Sequence, residues 1–155
     1  MLQPGDTAPD FTAATQSGEP LTLSSYRGRR VALYFYPKDD TPGCTKQACS
    51  LRDGEAALEA ADVAVVGVSG DDADSHARFA RKFDLAFPLV ADPDRAIALA
   101  YGVWGEKMLY GRAVTGLSRT TFLIGPDGVI VDVVKRPNTS DHAAEVLRRF
   151  EATAA

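Results

Sequence analysis

The stretch Val31–Cys49, VALYFYPKDDTPGCTKQAC, constrains this chain more than any other. Val31–Tyr36 is a short, mostly apolar run of β-branched and aromatic residues, which reads as a buried strand. Pro37 ends it, and Lys38-Asp39-Asp40 makes a polar loop. Thr41 then offers a hydroxyl at a helix N-cap, and Pro42 suits the first helical position, where its missing N–H costs nothing. That register makes Cys44 the third helical residue, among unpaired backbone N–H groups at the positive end of the helix dipole. An anionic sulfur is favoured in such a place, and the thiolate is the nucleophilic form. The stretch therefore predicts a strand–loop–helix unit that presents a reactive thiol.

The rest of the chain follows the same idiom. Leu21–Leu23 reads as a short strand, and the helix from Pro42 to about Ala61 is interrupted in composition by Gly54. Val63–Ser69, VAVVGVS, lacks alternation, as expected of a strand covered on both faces. A helix over Ala73–Phe83 puts Phe79 and Phe83 on one face, and a strand over Phe87–Val90 leads to a turn at Asp92-Pro93. Arg95–Tyr101 reads as a short helix stopped by Gly102. Thr120–Ile124 and Val129–Val134 flank Gly125-Pro126-Asp127-Gly128, a strong hairpin signal. The last helix starts near Ser140 and repeats apolar residues at Ala143, Val146, Leu147 and Phe150. Alternating elements closed by a hairpin and a helix predict one α/β domain over residues 1–155, with a mixed sheet.

Composition narrows the possible partners. The 155 residues are 45% hydrophobic, enough for a genuine core, and the net charge of -4 gives no general attraction to nucleic acid or anionic lipid. Short basic pairs such as Arg29-Arg30 and Arg148-Arg149 read as solvated surface. No stretch approaches the ~20 apolar residues that cross a bilayer. The start, MLQPGDTAPDF, lacks the charged and apolar regions of a secretory leader, so a cytoplasmic chain is expected. Two cysteines do not make a disulfide scaffold, and in a reducing compartment they point to redox chemistry.

Cys44 and Cys49 fall on one predicted helix, where five residues advance the chain by ~7.5 Å and separate the side chains by about 140°. A disulfide needs Cα atoms within roughly 7 Å and converging Cβ vectors. The pair can bond only if the first turns of the helix unwind, so oxidation would act as a conformational switch. A bland reading of Cys49 as a small buried apolar residue stays open. Two cysteines with the distant His76 and His142 do not form a compact zinc site, and no metal or cofactor is expected. Both histidines read as surface residues.

Tyr34–Cys49, YFYPKDDTPGCTKQAC, closely resembles the active-site loop of peroxiredoxins, specifically the peroxiredoxin Q or bacterioferritin comigratory protein group. The similarity runs through Gly5–Phe11, Gly67-Val68-Ser69, Ser75-His76, Tyr101–Lys107 and Arg119–Ile124. It implies a thioredoxin-like fold, a mixed central sheet with helices on both faces. It also implies that Cys44 attacks peroxide and becomes a sulfenic acid, and that Cys49 resolves it as a disulfide. By the same resemblance Thr41 and Arg119 hold peroxide and thiolate, and Pro37 shields the sulfur. The resemblance further implies a hydroperoxide substrate, recycling by thioredoxin or a similar thiol donor, and a monomer. Read alone, Arg119 could equally make a surface salt bridge, and Thr41 could simply cap a helix. Two positions depart from the common pattern: Gln47 replaces a frequent Glu, and Leu51 a frequent Phe.

Other readings of the cysteine pair are a protein thiol–disulfide oxidoreductase and a redox sensor. The first normally shows Cys-x-x-Cys, and the wider spacing here argues against it. The second would need a partner-binding tail, for which the sequence gives no sign.

Overall fold

A five-stranded sheet organises the computed structural model, which describes residues 1–153. A small hairpin of β1 (Thr12–Ala14) and β2 (Pro20–Thr22) precedes a single 3-10 turn at Leu23–Tyr26. Then come β3 (Arg30–Phe35), α1 (Pro42–Asp53), α2 (Glu55–Ala60), β4 (Val63–Ser69) and α3 (Ala73–Phe83). The second half holds β5 (Leu89–Ala91), α4 (Ala96–Ala100), a hairpin of β6 (Trp104–Leu109) and β7 (Arg112–Leu117), β8 (Thr120–Ile124), β9 (Ile130–Val134) and α5 (His142–Thr153). The main sheet runs β5-β4-β3-β8-β9, with β3, β4 and β5 mutually parallel and β8 antiparallel to both of its neighbours, β3 and β9.

The β3 run has no polar alternation because both of its faces are covered. Ala32 and Tyr34 join Leu51, Leu58, Phe79, Val146 and Phe150, the apolar residues of α1, α2, α3 and α5. Val31, Leu33 and Phe35 point the other way, into a second cluster with Ile97 and Ala98 of α4 and Leu21 and Leu23 of the N-terminal segment. The mixed sheet with helices on both faces is thus observed as expected.

The predicted helix from Pro42 is divided at Gly54, where another helix leaves no room for a side chain. A Cβ at Gly54 would lie 2.3 Å from the Cβ of Ala143 in α5. Strand β5 starts at Leu89, after Pro88, rather than at Phe87. The β6–β7 hairpin was not anticipated; its strands pair only with each other, and most of its residues are exposed or half-buried.

Sheet register positions the site. Strand β8 lies antiparallel to β3 with Thr120 opposite Phe35. Arg119 therefore arrives beside the end of β3 where the loop to α1 departs.

Candidate active site

The loop from β3 delivers Thr41 to the N-cap of α1 in an extended conformation (φ -102°, ψ 156°), with Pro42 at the first helical position. Thr41 is the N-cap by backbone only. Its hydroxyl makes no capping bond and instead donates to the Lys38 carbonyl at 2.8 Å, closing the loop on itself. The bond to the Lys38 backbone carbonyl fixes a side-chain orientation in which the hydroxyl oxygen makes no bond to the helix N–H groups.

Cys44 occupies the third helical position and is 1% exposed. Its sulfur faces Arg119, whose Nη2 donates to Cys44 Sγ at 3.4 Å. Arg119 Nη1 donates to Gln47 Oε1 at 2.6 Å. Gln47 is fully buried, one turn beyond Cys44 on α1, so one guanidinium spans both side chains. Gly43 leaves room for this approach, since a Cβ there would sit 3.1 Å from Arg119 Nη2. Arg119 is half-buried, which removes it from the class of surface salt bridges. Pro37 lies exposed in the loop, and Cys49 is half-buried farther along α1. Both cysteines are free thiols.

The structure therefore brings Cys44 and Arg119 into contact and sets Thr41 at the mouth of the same helix. Cys49 stands apart from that contact, as its helical spacing dictates. A permanent cation and helix N-terminal N–H groups aimed at one sulfur complement negative charge on it or on an atom bound to it.

Several residues around this centre escaped the sequence reading. Tyr34 Oη and Gln47 Nε2 are buried without a hydrogen-bond partner among the described residues. Burial holds the Tyr34 hydroxyl well above the usual tyrosine range, and the negative charge of Asp39 and of Cys44 adds to the effect. The surface reading of both histidines is wrong: His76 and His142 are fully buried. His142 Nδ1 lies 2.8 Å from Glu145 Oε1, and its Nε2 lies 2.8 Å from Thr121 Oγ1. Its backbone N–H donates to Ser50 Oγ, which in turn donates to the Gln47 carbonyl. This imidazole thus sits where α1, β8 and α5 meet. No signal in the sequence joins it to partners so far away along the chain.

The AhpC/TSA family profile matches residues 4–133. The chain belongs to the AhpC/TSA family. A putative peroxiredoxin bcp of Coxiella burnetii is 45% identical over 149 residues, 96% of this chain and 99% of that protein. Peroxiredoxin Bcp of Escherichia coli K12 is also 45% identical, over 94% of each chain. Among solved structures, a bacterioferritin comigratory protein of Xanthomonas campestris, studied for alkyl peroxide reduction, superposes with a TM-score of 0.88. It is 35% identical and covers 100% of this chain and 98% of its own. A cysteine-to-serine variant of Xylella fastidiosa PrxQ gives a TM-score of 0.91 at 35% identity, over 100% and 99% of the two chains. Within its family the chain is thus a peroxiredoxin of the peroxiredoxin Q, or bacterioferritin comigratory protein, group. No helix among the described residues is long and apolar enough to cross a membrane.

Proposed function

We propose that this peroxiredoxin reduces hydrogen peroxide and organic hydroperoxides through Cys44. The observation that carries the reading is the 3.4 Å contact between Arg119 Nη2 and Cys44 Sγ at the first turn of α1. The sulfur attacks one peroxide oxygen as a thiolate; the S–O bond forms as the O–O bond breaks, and the electron pair leaves on the distal oxygen. Arg119 and the free N–H groups of the first turn offset the charge shifting between sulfur and leaving oxygen. That oxygen takes a proton and departs as water or an alcohol, leaving Cys44 as a sulfenic acid. Because the Thr41 hydroxyl hydrogen is directed to the Lys38 carbonyl, its oxygen is available to accept from a peroxide O–H. Pro37 borders the entrance and limits water at the sulfur.

Cys49 then attacks the sulfenic sulfur, water leaves, and a Cys44–Cys49 disulfide forms. This needs the first turns of α1 to open, since the two side chains diverge on an intact helix. A thioredoxin-like dithiol returns the pair to the reduced state. In this reading the chain works as one domain, as a monomer, in the reducing cytoplasm. The X. campestris relative has been changed to serine at two cysteines much farther apart in sequence than Cys44 and Cys49, so the resolving step is the part to test independently.

Stopped-flow peroxide kinetics test both steps. Cys44→Ser abolishes rapid consumption, and near-normal turnover by that variant removes Cys44 from the mechanism. Cys49→Ser completes one turnover and then stalls with thioredoxin as donor. Sustained thioredoxin-linked turnover by it removes Cys49 from the resolving role.

A further inference from the structure

Behind the loop that carries Pro37 and Thr41 lies a buried polar cluster that the chemistry above does not use. Tyr36 Oη donates to Asp39 Oδ1 at 2.6 Å. Asp39 Oδ2 accepts from Ser75 Oγ at 2.8 Å and lies 2.7 Å from His76 Nδ1. The Asp39 N–H donates to Asp71 Oδ2 at 2.9 Å, and Ser69 Oγ donates to the same oxygen at 2.6 Å. His76 Nε2 lies 3.0 Å from the Val90 carbonyl. The His76 side chain is 0% exposed and that of Asp39 is 4% exposed.

These partners assign the protons. A carbonyl oxygen only accepts, so His76 Nε2 carries a hydrogen. The contact between Nδ1 and Asp39 Oδ2 also needs a hydrogen of its own, because two bare acceptors at that distance repel. The pair therefore holds one proton on Nε2 and one between Nδ1 and Oδ2. Written as imidazolium and carboxylate or as imidazole and carboxylic acid, it is neutral overall, which is how a buried ionisable pair avoids an uncompensated charge. Asp39, Asp71 and His76 also place three potential metal-ligand atoms within 4.8 Å of one another. Asp39 Oδ2, Asp71 Oδ2 and His76 Nδ1 are each engaged in a hydrogen bond already.

We propose that this shared proton pins the Pro37–Thr41 loop to α3, which makes Asp39 and His76 positioning residues for peroxide reduction. The inference rests on Cys44 being the reacting thiol. The link is short: the Thr41 hydroxyl is bonded to the carbonyl of Lys38, the residue immediately before Asp39. Loss of the proton leaves Oδ2 and Nδ1 as facing acceptors, loosens the loop's hold on α3 to the Ser75 and Lys82 contacts, and moves Thr41 relative to Cys44. Other charged and titratable groups face the pair. Tyr36, immediately after β3, is held protonated far above its usual range by burial, with Tyr34 and Asp39 adding to it. Asp71 before α3 is capped by two donors, Asp40 in the loop is paired with Lys82 at 2.8 Å, and Arg78 lines the same cleft from α3.

The test compares the wild type with Asp39→Asn and Asp39→Ala, following the rate of the first turnover from neutral to alkaline pH. Nitrogen-15 imidazole NMR of the reduced wild type reports the proton itself. Asn can donate an N–H to a neutral Nδ1 and has no proton to lose. Asp39→Ala should slow the first turnover at least about tenfold, since misplacing reacting groups by 1 Å can cost ~100-fold. Asp39→Asn should stay within about threefold of wild type, by the same scale, and lack the alkaline decline of the wild type. The spectrum should show both His76 nitrogens bearing or sharing a hydrogen. A bare Nδ1 at neutral pH, a wild-type rate in Asp39→Ala, or a wild-type alkaline decline in Asp39→Asn would each overturn the proposal. The spectrum does not depend on the role of Cys44, so a failure of the functional reading, seen as peroxide consumption by Cys44→Ser, shows separately.

Discussion

The first turn of α1 meets the rest of the protein through the guanidinium of Arg119, whereas its last turns are joined to α5 by packing. At the start, Cys44 and Gln47 share that one cation at 3.4 and 2.6 Å. At the end, Leu51 is 1% exposed in the core, Ser50 Oγ accepts from the His142 N–H, and Gly54 lies flush against Ala143. The difference matters because hydrogen bonds to a charged group exchange with water at a net cost of about 1.5–3 kcal/mol each and can be remade by solvent as the turn opens. Pulling a leucine out of a packed core costs a few kcal/mol. A helix held in this way opens from its front and stays attached at its back. Cys49 lies between the two regimes, close to the place where unwinding would have to stop for the two sulfurs to meet.

The strongest way to break this contrast is to remove the front clamp. Arg119→Ala should lower the rate constant for peroxide about 100- to 1,000-fold, the usual cost of losing a preorganised charge-stabilising donor. Its unfolding free energy should fall by about 1–3 kcal/mol, because the buried Gln47 Oε1 loses its donor; a larger stability loss with little change in rate would reverse the assignment. A smaller effect is expected at the back. Gly54→Ala forces a methyl against Ala143 and should cost about 1–3 kcal/mol in urea unfolding. Its reaction with the first equivalent of peroxide should remain near wild type. If that rate falls as far as in Arg119→Ala, the two ends are not independent.

The least effect concerns His142, which touches both regimes. Burial holds its imidazole below the ordinary value of 6.5, the hydrogen bond and charge of Glu145 oppose this, and Arg119 adds to it. The unfolded chain therefore binds a proton more readily than the folded one between the folded value and 6.5. The stabilisation is complete above 6.5 and drains away as pH falls through that window. Unfolding free energy of the wild type should decline there, and His142→Gln should flatten the decline. An unchanged slope would exclude His142 as its source.

Much of this arrangement was legible in the chain, for reasons that differ by element. The bounds of β4 and α3 could be read directly, because an unbroken Val-rich run and an amphipathic segment with Phe79 and Phe83 on one face each have one physical interpretation. The placement of Cys44 followed from Thr41-Pro42, where backbone chemistry alone fixes the register. The β6–β7 hairpin stayed hidden because strands that pair only with each other need no buried run. The histidines were misplaced because their partners are remote: Asp39 and Val90 surround His76, and Thr121 faces His142 from another strand. A polar residue enters a core when its donors and acceptors are matched there, and that matching is a property of the fold. The Thr41 hydroxyl shows the reverse case, a local choice between two side-chain orientations that sequence could not decide.

The β6–β7 hairpin runs directly into Arg119. Leu117 is 4% exposed and Ser118 donates its N–H to the Val103 carbonyl, so the base of the hairpin is fastened just before the guanidinium. Its tip is another matter, with Tyr110 96% exposed at the turn. Residues could be added there in matched pairs, one per strand, and the arginine would not move. A lone extra residue in one strand would flip the side-chain alternation between the insertion and the base, while the fastening at Leu117 and Ser118 keeps the cation beside its sulfur.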